Sequence, residues 1–78
     1  MNAGDSVIIP AGTAVPGTRR ELVTTTIGTV KVVEHEKRDG RDWALVDMMS
    51  DDLDENMDFV EVVRWFPVDV LELVKVAA

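Results

Sequence analysis

The chain predicts an all-β fold, a small and strongly bent five-stranded barrel with a short 3₁₀ turn before its last strand. Three observations support this. No segment repeats apolar residues at the 3.6-residue spacing of a helix. β-Branched and aromatic residues collect in short runs. Glycine and proline fall between those runs, where turns are needed. The densest run is Val62-Val63-Arg64-Trp65-Phe66-Pro67-Val68-Asp69-Val70-Leu71-Glu72-Leu73-Val74, which holds one of two tryptophans and one of two phenylalanines.

Taken in order, Gly4-Asp5 opens a first strand, Ser6 to Ile9, which Pro10 ends by removing a ladder donor. Residues 10–20 carry Pro10, Gly12, Pro16, Gly17 and the pair Arg19-Arg20, the chemistry of a loop. A second strand begins at Leu22 and continues through Ile27 to Glu34, with Gly28 marking a bulge or bend. Asp39-Gly40 is a two-residue hairpin signal, after which Trp43 to Met49 returns as the third strand. Ser50 to Asp58 is acidic and reads as a mobile loop or a single helical turn. Phe59 to Phe66 is the fourth strand, Pro67-Val68-Asp69 a turn able to tighten into 3₁₀ geometry, and Val70 to Val76 the last strand.

Seventy-eight residues form a single domain, 1–78. With no cysteine, neither a disulfide nor a thiolate metal site can staple it. The composition is 46 % hydrophobic with a mean hydropathy of +0.05, rich for a chain this short. Domains of this size hide only about 60 % of the surface of the unfolded chain, so apolar side chains are expected outside. The strands add to this expectation. On the fourth, Phe59, Val63 and Trp65 oppose Val60, Val62 and Phe66; on the last, Leu71 and Leu73 oppose Val70, Val74 and Val76. A strand with one solvated face alternates more cleanly. A second covered surface, most simply a dimer or tetramer interface, follows.

Fifteen acidic and eight basic residues leave a net charge of −7, which disfavours the phosphate contacts of nucleic-acid binding. No apolar run approaches a membrane span, and the N-terminus lacks the basic and apolar regions of a signal peptide, so a cytoplasmic protein is expected.

The order of these elements resembles the SH3-like barrels. The residues that carry the likeness are the Gly4-Asp5 strand, a long loop, Gly28-Thr29-Val30, a hairpin and the closing Phe66-Pro67-Val68-Asp69-Val70-Leu71-Glu72. That group includes photosystem accessory subunits, nitrile hydratase β-type domains and the type II, plasmid- and integron-borne, dihydrofolate reductases. The last are the most similar locally: their active-site strand Val-Gln-Ile-Tyr, followed by Pro-Val-x-x-Leu-Glu, parallels Val63-Arg64-Trp65-Phe66 followed by Pro67 to Glu72. The resemblance implies a barrel that assembles around a pore and a gene carried on a mobile element. It departs where the chemistry lies. Arg64 replaces the ligand-holding glutamine, Trp65 the isoleucine and Phe66 the tyrosine, and the cofactor-steering lysine falls near Ile9. No catalytic residue, cofactor or metal is therefore expected.

Two sites remain. Arg64, Trp65 and Phe66 could grip an anionic or aromatic ligand at an oligomer interface, against the simpler reading of an edge arginine beside core aromatics. Asp51, Asp52, Asp54, Glu55 and Asp58 could face a basic partner. The spacing Asp52-x-Asp54-x-Asn56-x-Asp58 imitates a calcium loop, but Met57 and Val63 stand where its glycine and glutamate belong. His35, the only histidine, is expected exposed between Glu34 and Glu36, with no serine or cysteine partner for a relay. Met48, Met49 and Met57 read as gap-fillers and Arg19-Arg20 as a charged loop. The expected function is a non-enzymatic, self-associating binding or assembly module. The alternative is a small-ligand protein or enzyme whose site forms between subunits. Mimicry of nucleic acid by clustered carboxylates is diluted by the scattered basic residues.

Overall fold

A computed structural model describes residues 1–53, 56 and 59–74, with the backbone alone for 50–53 and 59. Five antiparallel strands, β1 (Ser6–Ile9), β2 (Thr26–Arg38), β3 (Arg41–Leu53), β4 (Phe59–Pro67) and β5 (Glu72–Leu73), form one sheet in the order β4-β3-β2-β1-β5. A 3₁₀ turn, Val68–Val70, precedes β5 as expected. The barrel is left open, because β4 and β5 remain the two edges of the sheet.

Opposed residues line up in rows. Gly28 with Met48, Val30 with Val46, and Val33 with Ala44 and Phe66 form the inner rows. Val7, Ile9, Val30, Val46 and Phe66 on this face are fully buried. The long loop closes the core from above, as a miniature hairpin held by Gly12 N–H on the Leu22 carbonyl (2.8 Å), Leu22 N–H on Thr13 (2.9 Å) and Val15 N–H on Arg20 (2.9 Å). It inserts Val15 and Leu22 among the strand residues. Leu22 is thus core, but residues 22–25 are not strand, and β2 starts at Thr26.

The β2–β3 hairpin turns on Asp39 and Gly40, both with positive φ (56° and 68°), as a type I′ turn requires. Behind it β2 runs four residues beyond the expected Glu34. Residues 35–37 of β2 oppose Asp42 alone, since Glu34 pairs with Trp43 and Arg38 with Arg41. Glu36 takes a left-handed conformation, φ 51°, to absorb the excess. The Asp42 carboxylate stitches this irregularity, accepting from the Glu36 N–H (3.1 Å) and meeting His35 Nδ1 at 3.1 Å.

Gly28 does not mark a bulge. It pairs in register with Val7 on one side and Met48 on the other, and the extra residue of β2 is Lys31, between Val30 and Val32. Gly28 is needed for close approach: a Cβ there would stand 2.5 Å from Val46 Cγ1 and 2.9 Å from the Asp47 carbonyl oxygen.

The acidic segment also differs from expectation. β3 continues through Asp51 and Asp52 to Leu53, which pairs with Phe59, so that three β3 residues oppose Val60 alone. The first part of the segment is therefore irregular strand, neither loop nor helical turn. At the other end β5 starts at Glu72, later than the expected Val70, because the 3₁₀ turn takes up Val68–Val70; residues 75 and 76 of the expected strand lie outside the described residues.

Candidate functional site

Alternation along β4 separates the predicted ligand residues. Neighbours in a strand point to opposite faces. Val62 and Phe66 face the core, and Phe66 is fully buried, so it presents nothing to a ligand within one subunit. Val63 and Trp65 face the other way. Arg64 shares the inward parity and is half-buried where the core runs out at the sheet edge. Arg64 and Trp65 therefore do not stack as a flat platform. They meet only at the rim of a shallow groove of about 250 Å³, lined by Pro16, Gly17, Arg38, Val63, Arg64 and Trp65. Arg38 brings a second guanidinium to this groove, a contribution invisible in the sequence because it comes from the far end of β2.

The outer face of β2, β3 and β4 is built from three more rows: Thr29, Asp47 and Val63; Val32, Leu45 and Trp65; and Glu34, Trp43 and Pro67. Its apolar members are open to solvent to very different extents. Val63 is 51 % exposed, Met49 47 % and Ile27 67 %, while Trp43 is 5 % exposed. Trp43 is covered locally: its indole N–H donates to the Arg38 carbonyl (3.2 Å), and the Arg38 guanidinium lies 5.1 Å from its ring centroid. Trp65 is roofed by Lys37, whose Nζ stands 4.2 Å from the ring centroid and 3.0 Å from the Glu34 carboxylate.

Charge on this face is unevenly placed. Asp47 and Glu61 lie side by side, and Asp47, by sharing a hydrogen bond and then by its charge, raises the Glu61 carboxyl above its usual range. The nearest cation is Lys31, with Nζ 3.7 Å from Asp47 Oδ2. At the hairpin end, the hydrogen bond from Glu36 N–H, and then that with His35, hold Asp42 below the usual carboxylate range. Arg41 pairs with Asp69 at 2.5 Å, tying the 3₁₀ turn to the hairpin beside an open groove of about 350 Å³. Asp69 thus does not cap the turn, which has no side-chain cap.

His35 is exposed as expected, but its partner is Asp42, not the flanking glutamates. Of the predicted partner-binding residues, Asp51 and Asp52 lie on the irregular end of β3, whereas Asp54, Glu55 and Asp58 lie outside the described residues. Among the described residues no group of three or more His, Cys, Asp or Glu could hold a metal ion. Nor, among them, is any helix long and apolar enough to cross a membrane.

No family model, curated protein or solved structure matches the chain.

Proposed function

We propose that this protein is a non-enzymatic, self-associating binding or assembly module whose subunits meet on the outer face of β2, β3 and β4. The observation that carries this reading is the apolar band on that face, made by Val32, Leu45, Met49, Val63 and Trp65 in adjacent rows and turned away from the core. A single exposed valine needs no explanation; a contiguous band backed by a rigid sheet does. Covering it contributes the ordinary burial energy, about 25 cal/mol per Å² of apolar surface, on a scaffold already ordered. Solution mass by size-exclusion chromatography with light scattering, over a dilution series, tests the proposal. A dimer or tetramer that dissociates only on dilution supports it, and a monomer at every concentration overturns it.

The groove of Arg38, Arg64 and Trp65 favours a second reading, a ligand site completed at the subunit interface. Two guanidinium groups beside an indole suit a planar anion. Kinship with the type II dihydrofolate reductases is part of this reading, and nicotinamides and pterins are the compounds to screen by thermal shift. Raised melting with one of them, lost in Arg64→Ala, would favour the ligand site over pure assembly.

A further inference from the structure

The open barrel leaves β4 with a free edge. Its nine residues pair with β3 on one side only, and among the described residues no backbone hydrogen bond from another segment reaches the other. Unpaired strand edges are templates for another strand unless something blunts them. Here charge does so selectively, and the selection specifies a partner. A second copy pairing antiparallel with β4 about a two-fold axis normal to the sheet keeps outer face beside outer face. The axis must then pass at one residue position of the strand. A centre at Glu61 or at Arg64 sets like charges directly opposite each other, which is destabilising. A centre at Val62 puts Glu61 against Val63 of the second copy and brings the carboxylate no cation beyond its own Lys31.

A centre at Val63 behaves differently. Val63 meets itself, continuing the apolar band across the junction. Glu61 falls opposite Trp65 of the second copy, the residue whose ring carries Lys37 at 4.2 Å. We propose that β4 pairs antiparallel with β4 of a second copy about a two-fold axis at Val63, joining the two sheets and placing Glu61 of each on the Lys37–Trp65 pair of the other. This rests on the self-association reading above and adds to it a contact at the β4 edge, which extends the outer apolar band over two copies and leaves its covering to the face contact. The Asp47–Glu61 contact supports it: within one subunit the two carboxylates lie side by side and share Lys31, and this register brings Glu61 a second cation, Lys37.

The chain has no cysteine, so single cysteines report directly on the register. Opposed Cα atoms of an antiparallel pair lie about 4.5–5.5 Å apart, inside the range of about 4.4–6.8 Å that a disulfide spans. Under mild oxidation Val63→Cys is expected to cross-link into a dimer, while Val62→Cys and Val32→Cys are not. Glu61→Lys and Lys37→Glu should each weaken the dimer about tenfold or more, and the double exchange should restore it. Glu61→Lys removes the repulsion from Asp47, so the dilute variant should melt no lower than the parent, which separates lost assembly from lost folding. A wild-type monomer at all concentrations overturns both the self-association reading and this geometry. A wild-type dimer in which Val32→Cys cross-links and Val63→Cys does not overturns the edge pairing alone.

Discussion

Gly28→Ala tests how tightly β2 and β3 are pressed together at the start of the inner rows. The added methyl would lie 2.5 Å from Val46 Cγ1, 2.9 Å from the Asp47 carbonyl oxygen and 3.3 Å from Met48 Cβ. Real Cβ contacts are essentially never below 3.0 Å, so two neighbours must move. Neither moves easily. Val46 is fully buried and β-branched, so its rotamer is held by packing. The oxygen is backbone, fixed by ladders on both sides of β3. Overpacking costs about 1–3 kcal/mol, and a contact with immobile atoms belongs at the upper end, about 3 kcal/mol.

At about 0.05–0.15 kcal/mol per residue, a domain of this length has about 4–12 kcal/mol in all. The loss should lower the melting temperature by about 12–24 °C, at about 4–8 °C per kcal/mol. Urea unfolding followed by the fluorescence of Trp43 and Trp65 measures it. Val46→Ala removes the methyl that stands closest, so Gly28→Ala should cost less in that background, with a coupling of about 0.5–3 kcal/mol. Gly28→Ala within about 0.5 kcal/mol of the parent, or strictly additive with Val46→Ala, would refute the close-approach argument. A glycine kept for a bulge or flexible bend would give that outcome.

Adjacent β4 residues should separate folding from assembly. Phe66→Ala empties a fully buried site and should cost about 3–5 kcal/mol in denaturant unfolding, with association lost only through unfolding. Trp65→Ala removes a half-buried outer ring and its Lys37 contact, about 1–2 kcal/mol, yet should abolish the oligomer in light scattering. Asp42→Asn should destabilise the hairpin in a pH-dependent way. Asp42 is held below its usual range when folded, so its stabilisation is fully present above that range and is lost as pH falls from it through the lower folded-state value. The gap in melting temperature between Asp42→Asn and the parent should be widest near neutrality and close in acid, and a gap constant with pH would count against the Glu36 and His35 hydrogen bonds.

Local signals are legible in the sequence where they are chemically specific. Asp39-Gly40 made the turn its residues require, Pro10 ended β1, and Pro67 preceded the 3₁₀ turn. What the sequence concealed were consequences of pairing. A glycine inside a strand is compatible with a bulge or with a close neighbour, and only the positions of Val46 and Asp47 decide between them. Asp51 and Asp52 are polar enough for a loop, but β3 carries them along because β4 returns beside it and supplies Phe59 as a partner for Leu53. The candidate site was half legible. Val63 and Trp65 share one face, as their spacing implies, whereas the period of two sends the neighbours Arg64, Trp65 and Phe66 to alternate faces. Arg38, Lys37 and Asp47, which shape the surface around Trp65 and Glu61, come from other strands and left no local sign.

The outer face carries two features that are unfavourable in an isolated subunit. Apolar side chains meet water, and Glu61 stands beside Asp47. A sequence whose local choices agree with its fold avoids both, so their coincidence on one face locates the conflict. Either could be a minor defect alone. Together they constrain the remedy, since covering the apolar band with a neutral surface would bury two carboxylates with Lys31 alone between them, and supplying a cation alone would leave the band wet. A second copy paired at the β4 edge supplies the cation, because the chain that presents Glu61 also presents, four residues along β4, the tryptophan with Lys37 above it, and it joins the two apolar bands into one larger face for further assembly to cover. The spacing of Glu61, Val63 and Trp65 thus makes the edge complementary to its own antiparallel image. Reversing the charges at 61 and 37 should preserve that complementarity, whereas changing either one should destroy it.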